Sequence, residues 1–192
     1  MTDISQPPAT KNALSKPAKL VRLLKSVLDP RAYLHAFKMV NYYNYTHVAP
    51  LREIKIGSGA ALSPDTGFTN PERIEVGDRL QMGARSCLWA GPSRGRILIG
   101  DDVLIGPDVL VTAAEYRFND GSPVTKQPMD EADIEIGNDV WLAAKVVVLA
   151  GAKIGEGSII GGGAIVRGEI PPFSIAVGAP ARVVGQRKHF VA

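Results

Sequence analysis

Ile136, Leu142, Val148, Ile154, Ile160 and Val166 stand six residues apart in one unbroken register, a stride that few folds can hold. The same step recurs in shorter runs: Ile56 with Leu62, then Val76, Met82 and Leu88, then Ile99, Ile105 and Val111. A small residue often follows, as in Ile56-Gly57, Ile99-Gly100, Ile105-Gly106, Ile136-Gly137, Ile154-Gly155 and Ile160-Gly161. An α-helix turning every ~3.6 residues rotates such a stripe out of line, and a plain strand alternates with a period of two and fixes no small residue in register.

A coil of short strands satisfies the pattern. Each hexapeptide forms one flat face, three faces close a turn, and each aliphatic side chain stacks inward on its counterpart one turn above. The fold class expected is therefore all-β, a parallel β-helix of hexapeptide repeats over residues 49–170. A helical appendage over 17–48 precedes it, and a capping segment over 171–192 follows the paired prolines of Glu169-Ile-Pro-Pro-Phe, which cannot continue a ladder. The longest break in the stride, between Val111 and Ile136, predicts a projecting loop over 112–133, a place where function collects. Shorter breaks at 63–74 and 89–97 are also expected to leave the coil.

Residues 1–16 mix Pro, Ser, Thr, Lys and Asn without periodicity and read as a poorly ordered tail. From Lys19 the pattern is helical, with Leu20, Leu24, Val27 and Leu28 on one face and Lys19, Arg22 and Lys25 on the other. After Pro30 a second helix and an extended lead-in are expected. The basic amphipathic stretch over 17–29 has two readings: peripheral contact with an anionic membrane, or packing of its apolar side on the coil or a neighbouring subunit.

Composition narrows the function classes. The 192 residues are 45% apolar, as in a soluble globular chain, and no apolar stretch approaches the ~18 residues that span a bilayer. The start lacks the layout of a secretory signal, so the expected location is cytoplasmic, with the peripheral reading placing it at the inner membrane face. Net charge is +3, but the coil between Thr46 and Pro180 holds 12 basic and 17 acidic residues. That balance argues against nucleic acid as a partner. The single Cys87 excludes an internal disulfide and a zinc cluster, and fits a packing role. No GxGxxG or GxxxxGK[ST] nucleotide fingerprint is completed by Gly161, Gly162 and Gly163.

Three segments carry a resemblance: Ile134-Glu-Ile-Gly-Asn-Asp-Val-Trp-Leu-Ala-Ala, the run from Val148 to Val166, and Ile170-Pro-Pro-Phe-Ser-Ile-Ala-Val-Gly-Ala-Pro-Ala-Arg-Val-Val. Over residues 50–188 the chain resembles the hexapeptide-repeat acyltransferases, in particular the sugar and polysaccharide acetyltransferases related to galactoside and maltose acetyltransferases. The resemblance implies a left-handed β-helix assembled as a homotrimer, with acetyl-CoA between adjacent coils and a sugar or nucleotide-sugar acceptor in surface polysaccharide assembly. It assigns Trp141 to the pantetheine arm, the Ala144 N–H to the thioester end and Gly162 to a main-chain contact. Arg167 and Gly168 fall near the nucleotide end, and Arg182 matches the Arg of the C-terminal segment. Small residues let a thin pantetheine arm approach the backbone, and cations meet its phosphates. Gly185 stands where some relatives carry a second basic residue, a role open to Arg187 or Lys188. Plain structural roles, Trp141 as an outer cap and the glycines as repeat turns, are the alternatives.

The family's loop histidine, the general base, is missing: alignment of Ile105 to Phe118 puts Tyr116 in its place. A phenol titrates near ~10 and a carboxylate such as Glu115 near ~4.3 unperturbed, so both are poor bases for a sugar hydroxyl near neutral pH. An amino sugar asks less, which tilts the expectation toward N-acylation aided by positioning and an oxyanion-binding N–H. O-acylation with a base from elsewhere, and a non-catalytic CoA-binding trimer, are the other readings. Of the three histidines, His35 and His47 precede the coil and His189 is near the end. None lies in the repeat, so a three-histidine zinc site as in a carbonic anhydrase is not expected, nor any other metal.

Overall fold

The computed structural model describes residues 15–188 and divides into two compact units, one up to Tyr42 and one from Tyr43. The tail expected over 1–16 lies outside the described residues up to position 14, and the first helix, α1, already begins at Lys16 (Lys16–Val27). The second, α2, covers Pro30–Tyr43. The expected extended lead-in is instead helical: a π-turn over Asn44–Val48 runs into a 3-10 turn over Ala49–Arg52. Stacking of Tyr43 on His47, with ring centroids 4.5 Å apart, supplies a local contact that an extended chain would lose.

From Lys55 the chain winds as a parallel coil whose strands form three sheets. The first stacks Lys55–Ile56, Ile74–Val76, Ile97–Ile99, Ile134–Ile136, Lys153–Ile154 and Glu169–Ile170. The second stacks Ala61–Leu62, Gln81–Met82, Leu104–Ile105, Trp141–Leu142, Ile159–Ile160 and Ser174–Val177. In the third, Gly67–Thr69, Cys87–Trp89, Leu110–Thr112, Val147–Val148 and Ile165–Val166 lie in order. Register follows the stride: Ile105 pairs with Leu142 and Leu142 with Ile160, while Val111 pairs with Val148 and Val148 with Val166.

The interior holds two stripes, not one. Two residues before each ladder position stands another inward side chain, and Ile74, Leu80, Ile97, Val103, Ile134 and Val146 are fully buried there. Strand geometry requires it, since residues i and i+2 share a face. In the upper turns Ala152, Ser158 and Ala164 take this position, and the buried Ser158 hydroxyl donates to the Pro171 carbonyl at 2.9 Å.

Two expected breaks are corrected by this packing. The first is shorter than 63–74, because Phe68 continues the stride from Leu62 and is buried in the third sheet. Nor does the coil stop at Pro171-Pro172: these prolines occupy a corner, where no ladder hydrogen bond is needed, and Ile175 then pairs with Ile159.

The glycine after an aliphatic residue has a steric cause. A Cβ on Gly77 would stand 2.2 Å from Asp101 Oδ1, a carboxylate held there because it accepts the Asp78 N–H at 2.8 Å. Turn residues with left-handed φ stack with opposite charges: Arg79 donates to both oxygens of Asp102 (2.6 and 2.7 Å), and Arg85 to both of Asp108 (2.7 and 2.9 Å). Each pair links successive turns at positions whose backbone disfavours a residue with a side chain.

Because Leu142 is fully buried between Ile105 and Ile160, Leu142→Ala should destabilise the coil by about 2–5 kcal/mol, read as a lower urea midpoint.

Candidate active site

Between the second and third sheets the chain turns through Ala143, Ala144 and Lys145, and one rung later through Gly161, Gly162 and Gly163. The Gly163 N–H donates to the Ala144 carbonyl at 2.9 Å, which stacks the two turns. Trp141 stands just before this corner on the outer side of its strand, between Leu104 and Ile159, with 45% of its surface exposed. Much of the indole therefore remains open to a ligand.

A Cβ at Gly162 would meet only the Ala144 carbonyl, at 3.3 Å, and one at Gly163 would meet nothing within 4 Å. Neither the Ala144 nor the Gly162 N–H finds an acceptor among the described residues. On the first and third rungs the same turn position is Pro64 or Pro107, which has no N–H to offer. Free space above Gly162 and Gly163, two amides with no acceptor among the described residues and an exposed indole leave room at this corner for a thin ligand chain. Arg182 lies near this corner: it pairs across from Val177 on the strand Arg182–Gln186, and Val177 covers Gly161. Its Nη1 donates to the Ala181 carbonyl, and the residue is exposed.

A second cluster forms at the corner between the third and first sheets, where the expected loop leaves after Thr112. It is an ordered arm, with Ala114–Tyr116 antiparallel to Met129–Glu131 and Glu115 opposite Asp130. Arg117 donates to Asp130 at 2.7 Å, and Gln127 Nε2 donates to the Ser122 carbonyl at 2.7 Å, which ties the tip. Arg167 Nη2 donates to both oxygens of Glu115, at 2.6 and 2.9 Å. Glu115, exposed Tyr116, Phe118, Asp120, Asp130 and Arg167 line an open hollow of about 570 Å³. Gly168 follows at this corner with φ of 78°.

The residues expected at one site thus fall into two groups. Trp141, Ala144, Gly162 and Arg182 gather at one edge; Glu115, Tyr116, Arg167 and Gly168 gather at the next, with the third sheet between them. Arg167 is held by the carboxylate of Glu115, a pairing absent from the sequence-based expectation. Arg187 is engaged elsewhere, donating to Asp139 Oδ2 at 2.7 Å and to the Gly157 carbonyl at 3.1 Å. His35 sits on α2, His47 stacks on Tyr43 and hydrogen-bonds Thr46 Oγ1, and His189 lies outside the described residues. Burial pushes the Cys87 thiol up, away from thiolate chemistry. Among the described residues no cluster of His, Cys, Asp and Glu could hold a metal ion.

A residue that sequence reasoning missed fixes the arm. Glu131 accepts the N–H groups of Ser93, Arg94 and Gly95 (3.2, 2.7 and 2.8 Å) and the Ser93 hydroxyl at 2.5 Å. These donors, led by the Gly95 N–H, hold its carboxyl down to about 2. The only sequence signal was turn-forming Gly91-Pro-Ser-Arg-Gly, separated from Glu131 by a full turn of coil.

The model of the bacterial transferase hexapeptide, six repeats, matches residues 133–168, the stretch where the coil runs without insertion. A probable acetyltransferase of Mycobacterium tuberculosis is 30% identical over 198 residues, covering 86% of this chain and 62% of that protein. The chain therefore spans less than two thirds of that relative. The galactoside O-acetyltransferase of Escherichia coli is 29% identical over 169 residues, 81% of this chain and 79% of that one. Among solved structures, a galactoside acetyltransferase in complex with coenzyme A superposes with a TM-score of 0.65 at 27% identity, over 83% of this chain and 82% of that chain. A Bacillus cereus N-acyltransferase in complex with dTDP-4-amino-4,6-dideoxyglucose and coenzyme A reaches 0.62 at 20% identity, over 73% and 89%, a likeness of fold. Residues 133–168 carry the bacterial transferase hexapeptide repeat, and the coil as a whole has the fold of the hexapeptide-repeat acetyltransferases, a left-handed parallel β-helix.

Because the Glu131 carboxyl titrates lower in the folded chain than its ordinary 4.5, the unfolded chain binds more protons between about pH 2 and 4.5. Its contribution is thus complete above that window and lost as pH falls through it. Glu131→Gln should lower the melting temperature near neutral pH, remove this increment of acid sensitivity, and speed proteolysis of residues 113–130.

Proposed function

We propose that the protein transfers an acetyl group from acetyl-CoA to a sugar or nucleotide-sugar acceptor in surface polysaccharide or glycan biosynthesis, and that the acceptor atom is an amine. The observation that carries this reading is the arm: Tyr116 and Glu115 occupy the hollow beside Arg167, while the described histidines lie on α2 and in the lead-in. Named relatives with coenzyme A and an amino-sugar nucleotide support the substrate class. We place the reaction in the cytoplasm, where acetyl-CoA is made.

In this reading the indole of Trp141 lines the pantetheine arm, Arg182 meets its phosphates, and the Ala144 N–H donates to the carbonyl oxygen as it gains charge. The bound thioester supplies an activated acyl carbon. The free amine attacks that carbon, the C–N bond forms as the C–S bond breaks, and the amine proton passes to the Glu115 carboxylate, with Tyr116 hydrogen-bonding the acceptor. Arg167, first expected at the nucleotide end, here orients Glu115. A homotrimer would unite the Trp141 edge of one copy with the Glu115 edge of the next, three sites at three interfaces. The single chain holds these edges on opposite sides of the third sheet.

The Glu115–Arg167 pair also favours a second reading, a trimer that binds coenzyme A without turnover, since both carboxylate oxygens are already engaged. A thiol-release assay with acetyl-CoA, run across amino and hydroxyl sugars, separates them. We expect release with an amino sugar, a kcat about a hundredfold lower in Glu115→Gln, and a KM for acetyl-CoA about tenfold higher in Trp141→Ala. Release with hydroxyl sugars alone would move the assignment to O-acylation. Tight coenzyme A binding with no release, indifferent to Glu115→Gln and Tyr116→Phe, would establish the second reading.

A further inference from the structure

No residue of α1 or α2 is buried. On α1, Leu20, Leu23, Leu24 and Val27 follow i, i+3, i+4 and i+7, each more than half exposed, and Leu28 beyond the helix end is 76% exposed. On α2, Tyr33, Phe37 and Val40 repeat the spacing, with Phe37 73% exposed. Such a continuous apolar face calls for a partner.

Charge says which partner. Residues 15–43 carry Lys16, Lys19, Arg22, Lys25, Arg31 and Lys38 against one acid, Asp29. Around α1, Arg22 and Lys25 lie opposite the leucines and Lys19 borders their stripe, while Lys16 falls in the stripe's own sector at the first turn, where its long stem can reach a polar boundary. A second copy of the same unit carries the same net positive charge and so offers these cations no counter-charge. An anionic lipid surface satisfies both the apolar stripe and the cations. Neither helix is long and apolar enough to cross a membrane, so the geometry is that of helices lying in the interface.

We propose that α1 and α2 form a docking surface for an anionic phospholipid bilayer, with Leu20, Leu24, Val27 and Phe37 entering the headgroup region and Lys19, Arg22 and Lys25 meeting lipid phosphates. The proposal is independent of the acyl-transfer reading.

Flotation of the full chain with phosphatidylcholine vesicles, with and without phosphatidylglycerol, tests it. Binding is expected only with phosphatidylglycerol present, and should weaken in high salt. Together, Lys19→Gln, Arg22→Gln and Lys25→Gln remove three surface cations and should lower partitioning about a hundredfold. The pair Leu24→Asp and Phe37→Asp should abolish it. All five positions are exposed, so the coil should keep its melting temperature. Equal binding to both vesicle types, or none, would overturn the proposal. Binding that survives Leu24→Asp and Phe37→Asp would overturn it in favour of simple polyanion capture. A fall in particle mass on those two changes, by light scattering and without vesicle binding by the parent chain, would give the face to a second copy.

Discussion

Stacking of like side chains at a strand spacing of ~4.8 Å governs this molecule, because every inward position must match the one above and below it. The interior is narrow, so nothing can be inserted within a face. Extra residues must leave at a corner, and here they use one corner: 70–73, 90–96 and 113–133 all depart between the third and first sheets. One edge of the prism thereby accumulates all the irregular chain of the coil below the last rungs. The 91–95 turn lies where it can grip the arm through Glu131, so one departure from the repeat holds another in place.

The outer faces differ as much as the corners. Lys55 with Glu75, and Glu135 with Lys153, lace the first sheet with ion pairs at 2.9 and 2.8 Å. Exposed pairs of this kind add little stability but keep the face wetted. On the third sheet the outward residues are Cys87, Leu110, Val147 and Ile165, none of them charged. It is this apolar face that separates the two groups of candidate site residues. Carboxylate and phenol sit on the ordered arm, and the indole and the amides that find no acceptor among the described residues sit on the bare coil, so the two groups of candidate residues occupy different edges.

Legibility in the sequence followed the range of the interaction. The ladder from Ile136 to Val166 and the glycines beside it were readable, since each is fixed by neighbours in an invariant repeat. Phe68 was overlooked because an aromatic replaced the aliphatic residue, and the second inward stripe because its residues shrink to Ala152, Ser158 and Ala164 near the top. Pro171 and Pro172 resemble an end in sequence because proline is excluded from a ladder, but proline suits a corner and the coil continues past them. Nothing periodic in the sequence marks the lead-in as helical, and contact between Tyr43 and His47 favours helix there. Trp141, Ala144 and Gly162 stand out in the sequence only through motif, and the structure adds that they share one corner of the coil, with the indole exposed.

By itself the sequence determined the coil, because a period of six is a statement about repeated local geometry and needs no distant partner to be read. It also shows no histidine between His47 and His189, so none lies in the repeat. Only the tertiary structure decided that Arg167 grips Glu115 across 52 positions, that Glu131 anchors the arm in the turn at 93–95, and that Arg187 is spent on Asp139. Such contacts join side chains whose spacing is set by insertions between rungs. An insertion's length can be counted along the chain, but the direction in which it folds back depends on the rungs it meets.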